Sequence, residues 1–192
     1  MMGKRHLALV LWVATTFPVV AQVDSYWQQR VDHTIKATLD DTLHMIFAEE
    51  TVKYHNQSPD TLEYLIFHLW PNAYKNRNTA LAKQSVRMGQ TEMLFALPED
   101  LGFIDGLAFE LDGKPCVWEF HPKNIDICTL YLERPLLPGE SVEISTPFRV
   151  KLPSGKISRL GHIDQSYQIT QWFPKPAVYD KKGWHAMPYL TL

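Results

Sequence analysis

Val31, His33, Ile35, Ala37 and Leu39 alternate with Asp32, Thr34, Lys36, Thr38 and Asp40. A period of two residues is met only by an extended strand with one face turned to a core and the other to water. A second run, Met45 to Tyr54, ends at the turn formers Asn56-Gln57-Ser58-Pro59-Asp60, and the two runs suggest a hairpin. Leu62 to Trp70 is almost continuously apolar and is closed by Pro71, as expected of a strand covered on both faces near the middle of a sheet.

Asn72 to Gln90 breaks this pattern. It is polar and rich in Asn and Lys, and it reads as an excursion from the sheets with a short helix from Thr79 to Val86. Phe103 to Leu111 then meets Lys114 to Phe120 across Asp112-Gly113, a dipeptide that tolerates the positive φ angles of a two-residue hairpin turn. Ile127 to Leu132 and Val142 to Val150 follow, separated by Pro135 and Pro138-Gly139-Glu140, again strand, turn, strand. Many short strands with frequent turns predict an all-β fold, a mostly antiparallel β-sandwich with one irregular excursion.

The 192 residues, 45% of them hydrophobic, suffice for one sizeable core. Lys4 and Arg5 precede an apolar run from Leu7 to Val20, and Val19 and Ala21 supply the small residues of a cleavage site. Residues 1–21 therefore read as a secretory signal peptide, and the chain as exported, periplasmic or secreted. The run is too short, and too interrupted by Thr15, Thr16 and Pro18, for a stable membrane span. Loss of Lys4 and Arg5 takes the formal net charge from −2 to −4, and no basic stripe remains to follow a phosphate backbone, so nucleic acid is not an expected partner. Cys116 and Cys128 are the only cysteines. On neighbouring strands of an exported chain they could form a disulfide, or they could be two small buried apolar residues.

The motifs of hydrolytic chemistry are missing. None of the eight histidines has a second histidine four residues away, so there is no thermolysin-type zinc helix, and His33, His44 and His55 recur on separate strand stretches. There is no Gly-x-Ser-x-Gly elbow and no phosphate-binding glycine loop. Glu49-Glu50 and Asp40-Asp41 are adjacent pairs whose side chains point apart on a strand. No catalytic or metal-ligating residue is assigned. The aromatic stretch from Ser166 to Tyr189 holds Trp172, Phe173, Tyr179, Trp184 and Tyr189 among prolines. Such residues form an interdomain interface or core edge, or stack on a sugar or peptide.

The segments LIFHLWPNAYKN (Leu65 to Asn76), GFIDGL (Gly102 to Leu107), NIDICTLYLERPLLPGE (Asn124 to Glu140), TPFRVKLP (Thr146 to Pro153) and the run from Ser158 to Tyr189 resemble the amino-terminal domain of exported bacterial zinc metallopeptidases of the aminopeptidase N family. The resemblance extends from about Tyr26 to Tyr189. It implies a saddle-shaped β-sandwich over residues 22–189, packed in the intact enzyme against a thermolysin-like catalytic domain whose truncated start would be residues 190–192. The family's H-E-x-x-H helix, its second zinc-binding glutamate and its Gly-x-Met-Glu-Asn strand are not in this sequence. The resemblance therefore implies a non-catalytic domain, inactive by itself and without a cofactor of its own, with zinc in the intact enzyme and a peptide as its substrate.

One position carries over. Thr170-Gln171 matches a Thr-Gln pair that places a glutamine at the family's substrate cleft, and a primary amide offers both donors and acceptors to a peptide. A glutamine satisfying backbone groups at a strand edge is the other reading of Gln171. Two residues on, relatives carry a glutamate for the substrate's amino group where this chain has Phe173. The function expected is scaffold and part of a substrate-cleft wall. The alternatives are a stand-alone secreted module that binds glycan or peptide, and a truncated product without a function of its own.

Overall fold

The structure, a computed structural model, describes residues 26–191. The expected signal peptide over residues 1–21 lies outside them. In chain order the elements are β1 (Arg30–Asp40), β2 (Met45–His55), β3 (Leu62–His68), a 3₁₀ turn (Trp70–Tyr74), α1 (Ala80–Arg87) and α2 (Glu92–Phe95). They continue with β4 (Phe103–Asp105), β5 (Glu110–Leu111), β6 (Lys114–Pro115), β7 (Trp118–His121), β8 (Asn124–Leu136) and β9 (Ser141–Lys151). Five short strands close the chain: β10 (Gly161–Ile163), β11 (Ser166–Gln168), β12 (Lys175–Pro176), β13 (Tyr179–Asp180) and β14 (Gly183–Trp184).

Every ladder between these strands is antiparallel, and one isolated bridge, Ser154 with His162, is parallel. One sheet runs β1-β2-β9-β5-β6, with β4 also on β9, and the other runs β12-β3-β8-β7. Ile46, Ala48, Val52 and Tyr54 of β2 and Val142, Ile144, Phe148 and Val150 of β9 are buried at alternate positions. They belong to one continuous core with Leu65, Phe67, Cys128 and Leu130 of the other sheet. The fold is an all-β antiparallel sandwich.

The alternating runs become β1 and β2, joined as a hairpin through residues 41–44, where His44 has a φ of 52°. Of the β1 face expected to meet the core, however, only Val31 and Ile35 are partly covered, and His33, Ala37 and Leu39 are exposed on this edge strand. The turn cluster after β2 carries the chain from the first sheet to the second. Asn56, fully buried, organises that crossing. Its side-chain amide donates to Asp60 O (2.8 Å) and Leu136 O (3.0 Å), while its Oδ1 accepts from Ser58 Oγ (2.6 Å). Its backbone exchanges hydrogen bonds with the return crossing, Asn56 N to Glu140 O (2.9 Å) and Gly139 N to Asn56 O (2.7 Å).

Asp112 and Gly113 take φ values of 49° and 77°, as a primed hairpin turn requires, but the hairpin they close has only two residues on each side. Gly106, at φ 70°, breaks the first arm, and residues beyond Pro115 leave for the other sheet as β7. The excursion contains the expected helix, capped by Thr79, whose Oγ1 accepts from Ala82 N at 3.2 Å. Leu81, Ala82 and Ser85 are its buried face.

Replacing Asn56 by Ala removes five side-chain hydrogen bonds, among them the buried one to the Leu136 carbonyl. The expected loss is about 3 kcal/mol of folding free energy, read from the shift of the urea midpoint at constant slope.

Candidate functional site

Where β3 ends, the chain turns out of its sheet through Leu69 into the 3₁₀ turn, and the last ladder residue, His68, pairs with Lys175 of β12. β12 is an edge strand, which suits Pro176, and Ala177 N continues the contact to Ile66 O at 2.7 Å. This junction forms one wall of a cavity of about 1170 Å³. The 3₁₀ turn, α1, α2, residues 156–159 and residues 185–191 enclose the rest.

Lys175 Nζ lies 3.4 Å from the centroid of the Trp70 ring and donates a hydrogen bond to Gln171 Oε1. Both neighbours are neutral, and among the described residues no carboxylate forms an ion pair with Lys175. Burial lowers its pKa to about 8, while the indole face and the amide oxygen favour the ammonium form. Gln171 has a φ of 55°, a backbone conformation that is uncommon outside glycine. Beside this pair, Trp70 Nε1 and His68 Nδ1 are buried and, among the described residues, have no hydrogen-bond partner. Burial, chiefly, and the charge of Lys175 push His68 down to about 4, against the opposing pull of a hydrogen bond to the His185 backbone.

Tyr189 crosses the cavity, its ring 5.3 Å from that of Trp70 and 5.8 Å from that of Tyr74. Its backbone N–H donates to Asp126 Oδ2 at 2.6 Å, and burial raises the pKa of that carboxyl group. At the rim Gln84 of α1 binds Thr191 through both amide atoms, Nε2 to O and N to Oε1, each at 2.9 Å. His185 lies 2.8 Å from Asp180.

Of the residues singled out in the sequence, Gln171 and Tyr189 are brought together in this cavity. The other aromatics are half-buried against the edge of the core. Trp172 packs on Phe148 (5.8 Å), Phe173 edge-on to His33 (5.3 Å), and Trp184 against Tyr179 (5.0 Å), whose hydroxyl donates to Asp60 Oδ2 (2.8 Å). Cys116 and Cys128 are both free thiols, and the ladder places Phe120, not Cys116, opposite Cys128. His33, His44 and His55 go to three different partners, Glu50, Tyr167 and Asp32. Among the described residues no three His, Cys, Asp or Glu side chains stand close enough to hold a metal ion.

Sequence reasoning missed Lys175, His68 and Trp70. A lysine held between two prolines in an aromatic stretch was the available signal for the first. His68 and Trp70 gave none, because their value to the site depends on pairing with a segment far along the chain. No protein-family model and no curated protein matches the chain. No helix of the described residues is long and apolar enough to cross a membrane.

His68 has a pH signature. Its folded pKa, about 4, lies below its ordinary 6.5, so between these values the unfolded chain binds more protons and stability rises with pH. His68→Phe is expected to flatten this rise between pH 4 and 6.5, as measured by chemical denaturation at a series of pH values.

Proposed function

We propose that the chain is the amino-terminal, non-catalytic domain of an exported aminopeptidase N-like zinc metallopeptidase, serving as scaffold and as part of the substrate-cleft wall. The observation that carries this reading is the position of Gln171. The residue that the family resemblance assigns to a substrate cleft lines a cavity large enough for several residues of a peptide, in strained backbone geometry and beside buried polar groups that have no hydrogen-bond partner among the described residues. An amide whose oxygen is taken by Lys175 still has its NH₂ group to donate to a peptide carbonyl.

The described residues do not fit zinc, since no ligand set converges among them. Zinc chemistry belongs, in this proposal, to the catalytic domain, and no hydrolytic step is assigned to these residues. The half-buried aromatics between the prolines suit an interdomain face in the same proposal.

The purified chain is expected to contain no stoichiometric zinc and to release no amino acid from aminoacyl reporter substrates. Titration with a tripeptide amide at millimolar concentration should move the nuclear magnetic resonance signals of the Trp70 indole and the Gln171 side chain. Zinc near one per chain with chelator-sensitive hydrolysis would overturn the proposal. Glycan binding that is lost in Trp172→Ala and Trp184→Ala would replace it with the binding-module reading.

A further inference from the structure

We infer that this cavity recognises an acidic group on its ligand, with Lys175 Nζ and the Gln171 amide as the paired donors. The inference rests on the proposal that the cavity is a ligand cleft, and it names the chemistry of what enters.

Three observations converge on it. Among the described residues the cationic side chains lining the cavity are Lys156, Arg159 and Lys175, and the carboxylate side chain lining it is Glu92. His185 Nε2 lies 2.8 Å from Asp180 Oδ2, and Asp126 Oδ2 accepts from the backbone N–H of Tyr189. A negatively charged group therefore meets a field of the opposite sign inside low-dielectric walls.

Lys175 is half-buried, stacked over Trp70, and has only neutral acceptors among the described residues. A desolvated ammonium without a counter-ion is costly, and an incoming carboxylate offsets that cost with a charge-assisted hydrogen bond. The hydrogen bond from Lys175 also orients Gln171, because occupying Oε1 leaves the NH₂ group as the free end. Ammonium and amide N–H together make a donor pair suited to the two oxygens of one carboxylate. The row Trp70–Tyr189–Tyr74 then provides an aromatic floor for the rest of the ligand, while more-than-nine-tenths-buried His68 backs the site with an Nδ1 that has no hydrogen-bond partner among the described residues.

The test is calorimetric titration at pH 6.5 and physiological salt with the tripeptide amides Ala-Glu-Ala and Ala-Gln-Ala, and with succinate and inorganic phosphate. The Glu peptide is expected to bind about tenfold more tightly than the Gln peptide, the size of one charge-assisted hydrogen bond. That preference should vanish in Lys175→Met and persist in Lys175→Arg. Equal binding of the two peptides overturns the inference and leaves the peptide-cleft proposal standing, and a preference that survives Lys175→Met overturns the assignment to Lys175. Lys175-dependent binding of succinate or phosphate without binding of either peptide upholds anion recognition and overturns the peptide reading. Failure of every probe overturns both.

Discussion

The sandwich depends on one buried amide. The crossing from β2 to β3 and the crossing from β8 to β9 both pass the side chain or backbone of Asn56. Backbone polar groups at such crossings are removed from water and from the ladders at once, so they need another source of hydrogen bonds. Asn suits this position because it carries two donors and an acceptor on a short stem. With the crossings joined, β2 and β9 lie side by side over eleven residue pairs, and their alternate side chains face one core.

At the other end of the second sheet the balance of forces is different. Lys175, His68 and Trp70 are held in a partly desolvated corner where nothing among the described residues neutralises the ammonium and two ring nitrogens lack partners. Glu50, on the inner face of β2, is a similar concession. One carboxylate oxygen meets His33 at 2.7 Å, the other has no partner among the described residues, and burial raises the pKa of the group. The carboxylate lies close to the path of the aromatic segment, since Phe173 packs on the same His33 ring. Polar groups left short of partners at the margins of a well-satisfied sandwich are where a protein departs from its own packing rules, and such departures collect at sites of function.

Much of the fold was legible because strand signals are local. Alternation in β1, turn chemistry at Asp112-Gly113 and a capping threonine before α1 each act within a few residues. What could not be read is which sheet a strand joins. β8 and β9 are separated by a proline-glycine turn that looks like the end of a hairpin, yet β8 pairs with β3 and β7 while β9 pairs with β2, β4 and β5. Gln171 was reached through resemblance alone, and its partner Lys175 was not reached at all.

The sequence by itself determined that the chain forms strands, where many of them begin and end, that an irregular helical excursion interrupts them, and that the motifs of hydrolytic chemistry are missing from it. These follow from periodicity, turn residues and motif spacing, which need no knowledge of distant neighbours. Only the tertiary structure decided that Lys175 lies over Trp70, that Gln171 opens onto a cavity, and that Trp172 and Trp184 turn toward the core. Each of those depends on long-range register, because charge, burial and hydrogen-bond supply at a site are properties of what the fold brings together rather than of any one segment.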